Sequence, residues 1–391
     1  MQPSQGNNQS FCGTQTNSTG LVQRIDSDIK AKKVRLEEEF ENSQHDDSRR
    51  RRPKPSQRLK FAPFRSRTLR IKGKTCFNVS GGSSFYNKKH NLIMVCPANN
   101  AVYFYDATTL LPPEGREVLP VGSNNAFNDV SFCSETDTFL FACSFGNLYA
   151  YDFHKKILKT VQKLPESILP AVTFLNSTYY AFSTHCSNNL FVGNLEDGSL
   201  FNNGPGKART CLLHKLEKKN FLLSVLANSV MRVYHTNHLP RLSVICSVKA
   251  HKERGDTMKI ERIILKRKDF MITSGPVDGM IRVWHFIKGK MRLLRMINTG
   301  ETTICSCSYL ANYRMIATTH DKESIKFWGL LSGELKYVYS PSKQARFTDA
   351  FLMKDKNALG VTDWKREVIE IIQLHAQPER SVMACSEEME T

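Results

Sequence analysis

The chain has 391 residues, 40% of them hydrophobic and 10% aromatic, enough to bury a sizeable core as one large domain or two ordinary ones. Its formal net charge is +18, with a pI near 9.4, which suits anionic company such as nucleic acid, acidic protein or an anionic membrane surface. The opening MQPSQGNNQS lacks a basic segment followed by an apolar one, and no run of about 18 apolar residues occurs, so neither a secretory signal nor a membrane-spanning helix is expected.

Residues 1–60 predict a disordered basic arm. The first 20 are mostly Gln, Asn, Ser, Thr and Gly, with little to bury. Residues 29–41, IKAKKVRLEEEFE, set Ile29, Lys33, Leu36 and Phe40 near one face. They read as a short helix that folds on a partner, or as a solvated charged stretch. SRRRRPKP follows, where Arg49, Arg50, Arg51, Arg52 and Lys54 form a compact cationic block held extended by Pro53 and Pro55. Residues 1–75 carry 17 Lys/Arg against 8 Asp/Glu, so about half the excess charge sits in a fifth of the chain. Such a block reads as a nuclear import signal, a phosphate-backbone contact or a solvated tail.

From about residue 67 short apolar or alternating runs recur between Gly, Asn, Asp, Ser and Pro, with no long helical periodicity, which predicts an all-β domain. One pattern repeats: a turn cluster, a short strand, then a large residue followed by a polar one. Its anchors are Tyr105, Tyr151, Gly193, Tyr234, Trp284, Trp328 and Ile372, spaced 46, 42, 41, 50, 44 and 44 residues apart. That period suits a four-stranded propeller blade of roughly 40–45 residues with loop insertions, and seven anchors predict seven blades over 67–375. Blade five is the plainest, with strands in MKIERIILKR, DFMITSGP, GMIRVWHF and KMRLLRMI. Its Asp278-Gly279 predicts a tight type I′ turn, in which both central residues take positive φ. Blade six follows with TICSCSYL, RMIATT, SIKFW and ELKYVYS.

On these residues the chain resembles the WD-repeat family. His251 stands at the family's Gly-His position, Ser274 at its strand Ser/Thr, Asp278 at its turn aspartate and Trp284 at its tryptophan. The resemblance implies a hydrogen-bonded chain of these four side chains, which gives each buried polar group a partner. Blade six keeps Asp321, Trp328 and Thr318, whereas blade seven keeps Asp363 but has Ile372 for the tryptophan. Blades one and two retain a terminal acid, Asp106 and Asp152. The Trp-Asp-x-Arg string of the family's ubiquitin-ligase receptors is missing its Arg at both Tyr151–His154 and Trp284–Ile287, which lowers that reading. Closing the ring needs one further strand. RTLRIKG at 67–73 alternates suitably, whereas 376–391 reads as a disordered tail.

No phosphate-binding, dinucleotide, zinc-protease or serine-hydrolase motif is present, so no catalytic residue is assigned and no enzyme activity is expected. Several of the 11 cysteines, Cys96, Cys143 and Cys246 among them, lie in apolar runs, and no CxxC occurs, so they read as buried small hydrophobes of a reducing compartment, without a metal. His235 and His238 flank a turn but supply only two ligands. Basic clusters in or beside loops remain, at Lys218-Lys219, Lys266-Arg267-Lys268, Lys288 to Arg295 and, with Trp364 beside it, Lys365-Arg366. They read as a surface for a partner or nucleic acid, or as ordinary surface lysines. The expectation is a non-catalytic interaction scaffold within a multisubunit complex of the nucleus, also present in the cytoplasm. It has no cofactor, no membrane association and no small-molecule substrate. The processes that the resemblance implies are chromatin modification, RNA or ribosome processing, and ubiquitin-ligase substrate recognition. The alternative is a propeller that binds RNA or DNA directly through basic loops and the arm.

Overall fold

A computed structural model describes residues 60–61, 65–70, 84–96, 101–113, 118–120, 127–164, 168–185, 188–205, 208–216, 220–251, 259–265, 268–275, 278–287, 290–300, 304–320, 324–340, 347–363, 368–374 and 376–377. The expected helix at 29–41 and the cationic block at 49–54 lie outside these residues, as does the tail beyond Gln377.

The chain is a seven-bladed β-propeller. Two strands come first, β1 (Lys60–Phe61) and β2 (Arg65–Arg70). Blade one is β3 (Ser84–Asn87), β4 (Leu92–Val95), β5 (Ala101–Asp106) and β6 (Val118–Pro120). Blade two is β7 (Phe127–Cys133), β8 (Thr138–Cys143), β9 (Asn147–Asp152) and β10 (Ile157–Lys163). Blade three is β11 (Ala171–Phe174), β12 (Tyr179–Ser183), β13 (Asn189–Asn194) and β14 (Leu200–Pro205). Blade four is β15 (Thr210–Leu216), β16 (Phe221–Leu226), β17 (Val230–His235) and β18 (Ser243–Lys249). Blade five is β19 (Lys259–Leu265), β20 (Lys268–Gly275), β21 (Met280–Ile287) and β22 (Lys290–Asn298). Blade six is β23 (Ile304–Leu310), β24 (Met315–His320), β25 (Ile325–Gly329) and β26 (Leu335–Tyr339). Blade seven holds β27 (Phe347–Met353), β28 (Ala358–Asp363) and β29 (Val368–Gln373), and β2 completes it, pairing antiparallel with β29 from Arg65↔Gln373 to Arg70↔Val368.

The closing strand is therefore the one expected, set two to three residues earlier, at Arg65–Arg70 rather than 67–73. A last strand, β30 (Ala376–Gln377), pairs with β1, so strand pairing runs past both ends of the expected 67–375 span. Among the described residues the only helical turns are two single 3-10 turns, Ala311–Tyr313 and Lys354–Lys356.

The core lies in radial seams between blades. In β4, Leu92 and Met94 pack toward blade two, while Ile93 and Val95 pack toward blade seven. Side chains alternate faces along a strand, so a middle strand flanked by two blades must be apolar on both. That is why LIMVC and FLFAC are uninterrupted, and why Cys96 and Cys143 sit in the first seam. Outer strands face solvent instead, and none of the β10 residues is buried. Polar bonds cross the seams as well. The Asp129 carboxylate in blade two accepts the Val172 N–H of blade three at 2.9 Å, and Ser84 bonds Thr362 between blades one and seven at 2.8 Å.

Consecutive strands are antiparallel, so turns alternate between the two faces of the ring. Turns joining first to second and third to fourth strands lie on one, here the hairpin face. Second-to-third turns and blade-to-blade connections lie on the other, the crossover face. One backbone bond recurs on the hairpin face in six blades: Ala107, Phe153, Leu195, Thr236, Leu330 and Leu374 donate to the carbonyls of Asn91, Asp137, Thr178, Asn220, Arg314 and Asn357 at 2.8–3.0 Å. All of those acceptors but Thr178 hold positive φ, and three of them are Asn, which tolerates the left-handed region.

The turn at Asp278-Gly279 departs from expectation. Only Gly279 has positive φ, at 60°, and its N–H donates to Gly275 O at 3.1 Å, so four residues rather than two connect Gly275 to Met280. Asp278 Oδ1 accepts the Met280 N–H at 3.0 Å, an arrangement that a left-handed Asp278 in a two-residue turn does not supply.

Candidate interaction surfaces

The blade-five network exists, but its hydroxyl is that of Thr273 and not Ser274. Trp284 Nε1–H donates to Thr273 Oγ1 at 2.9 Å, and Thr273 meets His251 Nε2 at 2.9 Å. His251 Nδ1 faces the Asp278 carboxylate at 3.0 and 3.1 Å. Since the indole can only donate, the consistent assignment has Thr273 donating to Nε2 and Nδ1–H donating to Asp278. Adjacent strand residues point to opposite faces, so a one-residue offset decides which hydroxyl reaches the tryptophan. The Ser274 hydroxyl is instead buried without a partner.

Sequence reasoning also missed Arg282. It is buried, donates to Asp278 Oδ2 at 2.7 Å and touches His251 Nδ1. Burial and then the Arg282 charge push the His251 pKa down to about 4, against the opposing pull of Asp278, so the ring is neutral at physiological pH. Burial raises the Asp278 carboxyl, but bonds from Arg282 and His251 outweigh it and leave it lowered. Gly275 belongs to the site because a Cβ there would stand 2.3 Å from both Asp278 Oδ1 and His251 Nδ1.

Blade six builds a shorter version. Trp328 Nε1–H donates to Thr318 Oγ1 at 2.9 Å, and Thr318 bonds His320 Nε2 at 2.8 Å, so the histidine comes from the same strand. Asp321 lies outside the described residues. In blade seven Asp363 is fully buried, and Ile372 packs into the seam with blade six. Asp106 and Asp152 close hairpin-face turns. Asp106 Oδ1 accepts the Thr108 and Thr109 N–H groups at 2.8 and 2.7 Å, and Asp152 Oδ1 those of His154 and Lys155 at 3.1 and 2.9 Å.

A cluster not foreseen from sequence ties blade one to blade two. Asp137, with φ of 50°, receives Lys89 Nζ at 2.7 Å, His90 Nε2 at 2.8 Å and His154 Nε2 at 2.6 Å. Burial would raise its carboxyl, but bonds from Lys89, His90 and His154 prevail and hold it at about 2. The residues come from three different turns, so no local motif announces the cluster.

Lys266, Arg267, Trp364, Lys365 and Arg366 lie outside the described residues, while Lys268 opens β20. The strand ends that flank the two clusters, Leu265 with Lys268 and Asp363 with Val368, lie on the hairpin and crossover faces respectively. Exposed apolar side chains mark both faces. Phe145 (59% exposed) and Ile168 (39%) sit on the crossover face, where Leu169 N–H donates to Cys143 O at 3.2 Å. On the hairpin face a cavity of about 130 Å³ opens between blades six and seven, lined by Leu310, Tyr313, Leu352, Lys354, Asn357 and Leu374.

Among the described residues the cysteines are free thiols, five of seven buried, and burial raises the Cys96 pKa to about 12, which keeps it unreactive. His235 packs its ring 4.8 Å from Phe221, and His238 lies exposed in the following turn. No group of three or more His, Cys, Asp or Glu among the described residues is placed to hold a metal, and no described helix is long and apolar enough to cross a membrane.

No protein-family model matches the sequence, and no curated protein matches it. Solved structures do match the fold. The β-propeller domain of Myceliophteria thermophila Cps50 (Swd1) superposes with a TM-score of 0.66 at 12% identity, over 80% of this chain and all of that one. A chain of a mitotic checkpoint complex gives 0.66 at 13% identity, over 83% of this chain and 96% of that one.

Proposed function

We propose that this chain is a WD-repeat scaffold without catalytic activity, a protein-binding subunit of a nuclear complex. The family reading is supported by the Trp284–Thr273–His251–Asp278 chain and its shorter counterpart at Trp328 and Thr318. The observation that carries the scaffold reading is how the polar groups are used. Asp137, Asp278 and Glu370 are engaged in turn and seam bonds, while exposed apolar side chains such as Phe145 stand on the turns. A rigid ring that holds such turns still is a platform on which partners dock. The similarity to a chain of a mitotic checkpoint complex accords with that role.

The test is affinity purification of the tagged full chain from cells, with and without nuclease. Stoichiometric protein partners that survive nuclease are expected. A chain that purifies alone would sink the proposal. The charge of +18 favours a second reading, direct binding of RNA or DNA. Under it, partners would vanish with nuclease. Binding to duplex or single-stranded probes would also fall ~10-fold or more between 50 and 200 mM salt, and neutralising Lys266, Arg267 and Lys268 would weaken it. Residence in the nucleus rests on Arg49–Arg52 and Lys54. Replacing the four arginines by alanine is expected to shift a fluorescent fusion to the cytoplasm, and unchanged nuclear signal would remove that role.

A further inference from the structure

The cavity between blades six and seven is a built feature of the hairpin face. Its apolar wall is Leu310, Leu352 and Leu374. Its polar groups are already paired among themselves. Tyr313 Oη–H donates to Leu374 O at 2.9 Å, Asn357 Nδ2 reaches both Tyr313 Oη and Leu374 O, and Asn312 Nδ2 donates to Asn357 Oδ1 at 3.4 Å. A polar ligand would find few unpaired groups there, whereas an apolar side chain would lose nothing. About 130 Å³ is too small for a drug-sized ligand, which takes roughly 300–1,000 Å³, and close to the ~150 Å³ that holds one benzene ring. The volume fits one side chain.

One exposed cation, Lys354, lines the mouth. Arg314 and Lys356 adjoin the lining residues Tyr313 and Asn357 in sequence, Arg314 also exposed. The acid between the two lysines, Asp355, faces Tyr86 of blade one, whose hydroxyl donates to both of its carboxylate oxygens at 2.8 Å. Lys356 Nζ donates to Thr108 of blade one at 2.9 Å, across the seam on the far side of blade seven from the cavity.

We propose that this cavity docks a linear protein motif, one apolar side chain of a partner filling it while an acidic residue that follows pairs with Lys354. This rests on the scaffold reading and names the partner chemistry of one site. A single point-charge lysine beside an apolar hole suits a carboxylate-bearing peptide better than a nucleic acid, whose recognition needs exposed stacking rings or a longer run of phosphate contacts.

The experiment screens the full chain against a displayed library of 12-residue peptides. Each carries one Leu, Met or Phe followed by positions biased to Asp and Glu. Enrichment of apolar–acidic peptides is expected. Synthetic versions should weaken ~10-fold or more when the apolar residue becomes Ser, and likewise on Lys354→Glu protein. A peptide with Lys in place of its acids should recover binding to that variant. Lys354 is exposed, and an unchanged melting temperature would show that the variant folds. No enrichment, equal binding to wild type and Lys354→Glu, or a selected peptide displaced by a single-stranded RNA 12-mer but unaffected by loss of its apolar residue would each overturn the proposal. The two readings fail differently. If cellular partners co-purify yet library peptides ignore Lys354→Glu, the cavity is lost and the scaffold stands. If peptides select as expected but no partner co-purifies, the scaffold falls and the cavity stands.

Discussion

At residue scale the blade-five relay is a set of polar groups that must all be paired or all be absent, because a buried donor left alone costs more than its bond contributes. Thr273→Val strands both the Trp284 N–H and His251 Nε2, and is expected to lower unfolding stability by about 1–3 kcal/mol in urea titration. Ser274→Ala removes a hydroxyl that bonds nothing, and should be neutral or slightly stabilising. The reverse order would put Ser274 back in the relay. The same site sets a pH response. An unfolded histidine protonates near 6.5, whereas folded His251 resists protonation to about 4, so the unfolded chain binds the proton first. Stability is therefore full above pH 6.5, falls as pH drops toward 4, and Asp278 continues the fall in more acid solution. The His251 share is about 3 kcal/mol, and a His251→Gln variant should flatten that limb of a stability–pH curve.

At element scale the anchors that look weakest in sequence have steric reasons. Gly193 pairs with Tyr180 across β12 and β13, and a Cβ there would come within 2.2 Å of the tyrosine ring. Tyr180 is fully buried and cannot swing away, so the ring occupies the room that a larger anchor fills in other blades. Gly360 accommodates Phe351 in the same manner. Gly193→Ala is expected to cost about 1–3 kcal/mol from overpacking, read as a lower denaturation midpoint, and Tyr180→Leu in the same chain should recover part of it. A Gly193→Ala protein as stable as wild type would show that the ring has slack.

At the scale of the whole molecule, closure joins residues about 300 positions apart, Arg70 to Val368. β2 satisfies the outer edge of β29, which would otherwise offer a row of unpaired backbone groups. Deleting residues 1–56 should leave a folded monomer, whereas deleting 1–70 should lower the melting temperature by several degrees and promote aggregation in size-exclusion runs. Equal behaviour of the two truncations would mean that the ring holds without its clasp.

What the sequence determined by itself was periodic. Seven anchors at a blade-sized spacing, the apolar runs of middle strands and an alternating segment ahead of the first repeat were enough for the blade count and the clasp, because strand periodicity and turn chemistry are local. The resemblance placed His251, Asp278, Trp284 and Trp328 in their turns and strands. Only tertiary structure decided which of Thr273 and Ser274 meets the tryptophan, since their chemistry is alike and the pleat alone separates them. It alone gathered Lys89, His90, Asp137 and His154, brought Arg282 onto His251 and opened a cavity between blades six and seven. Each of these depends on residues far apart in the chain or on the direction of a turn, and neither leaves a periodic trace.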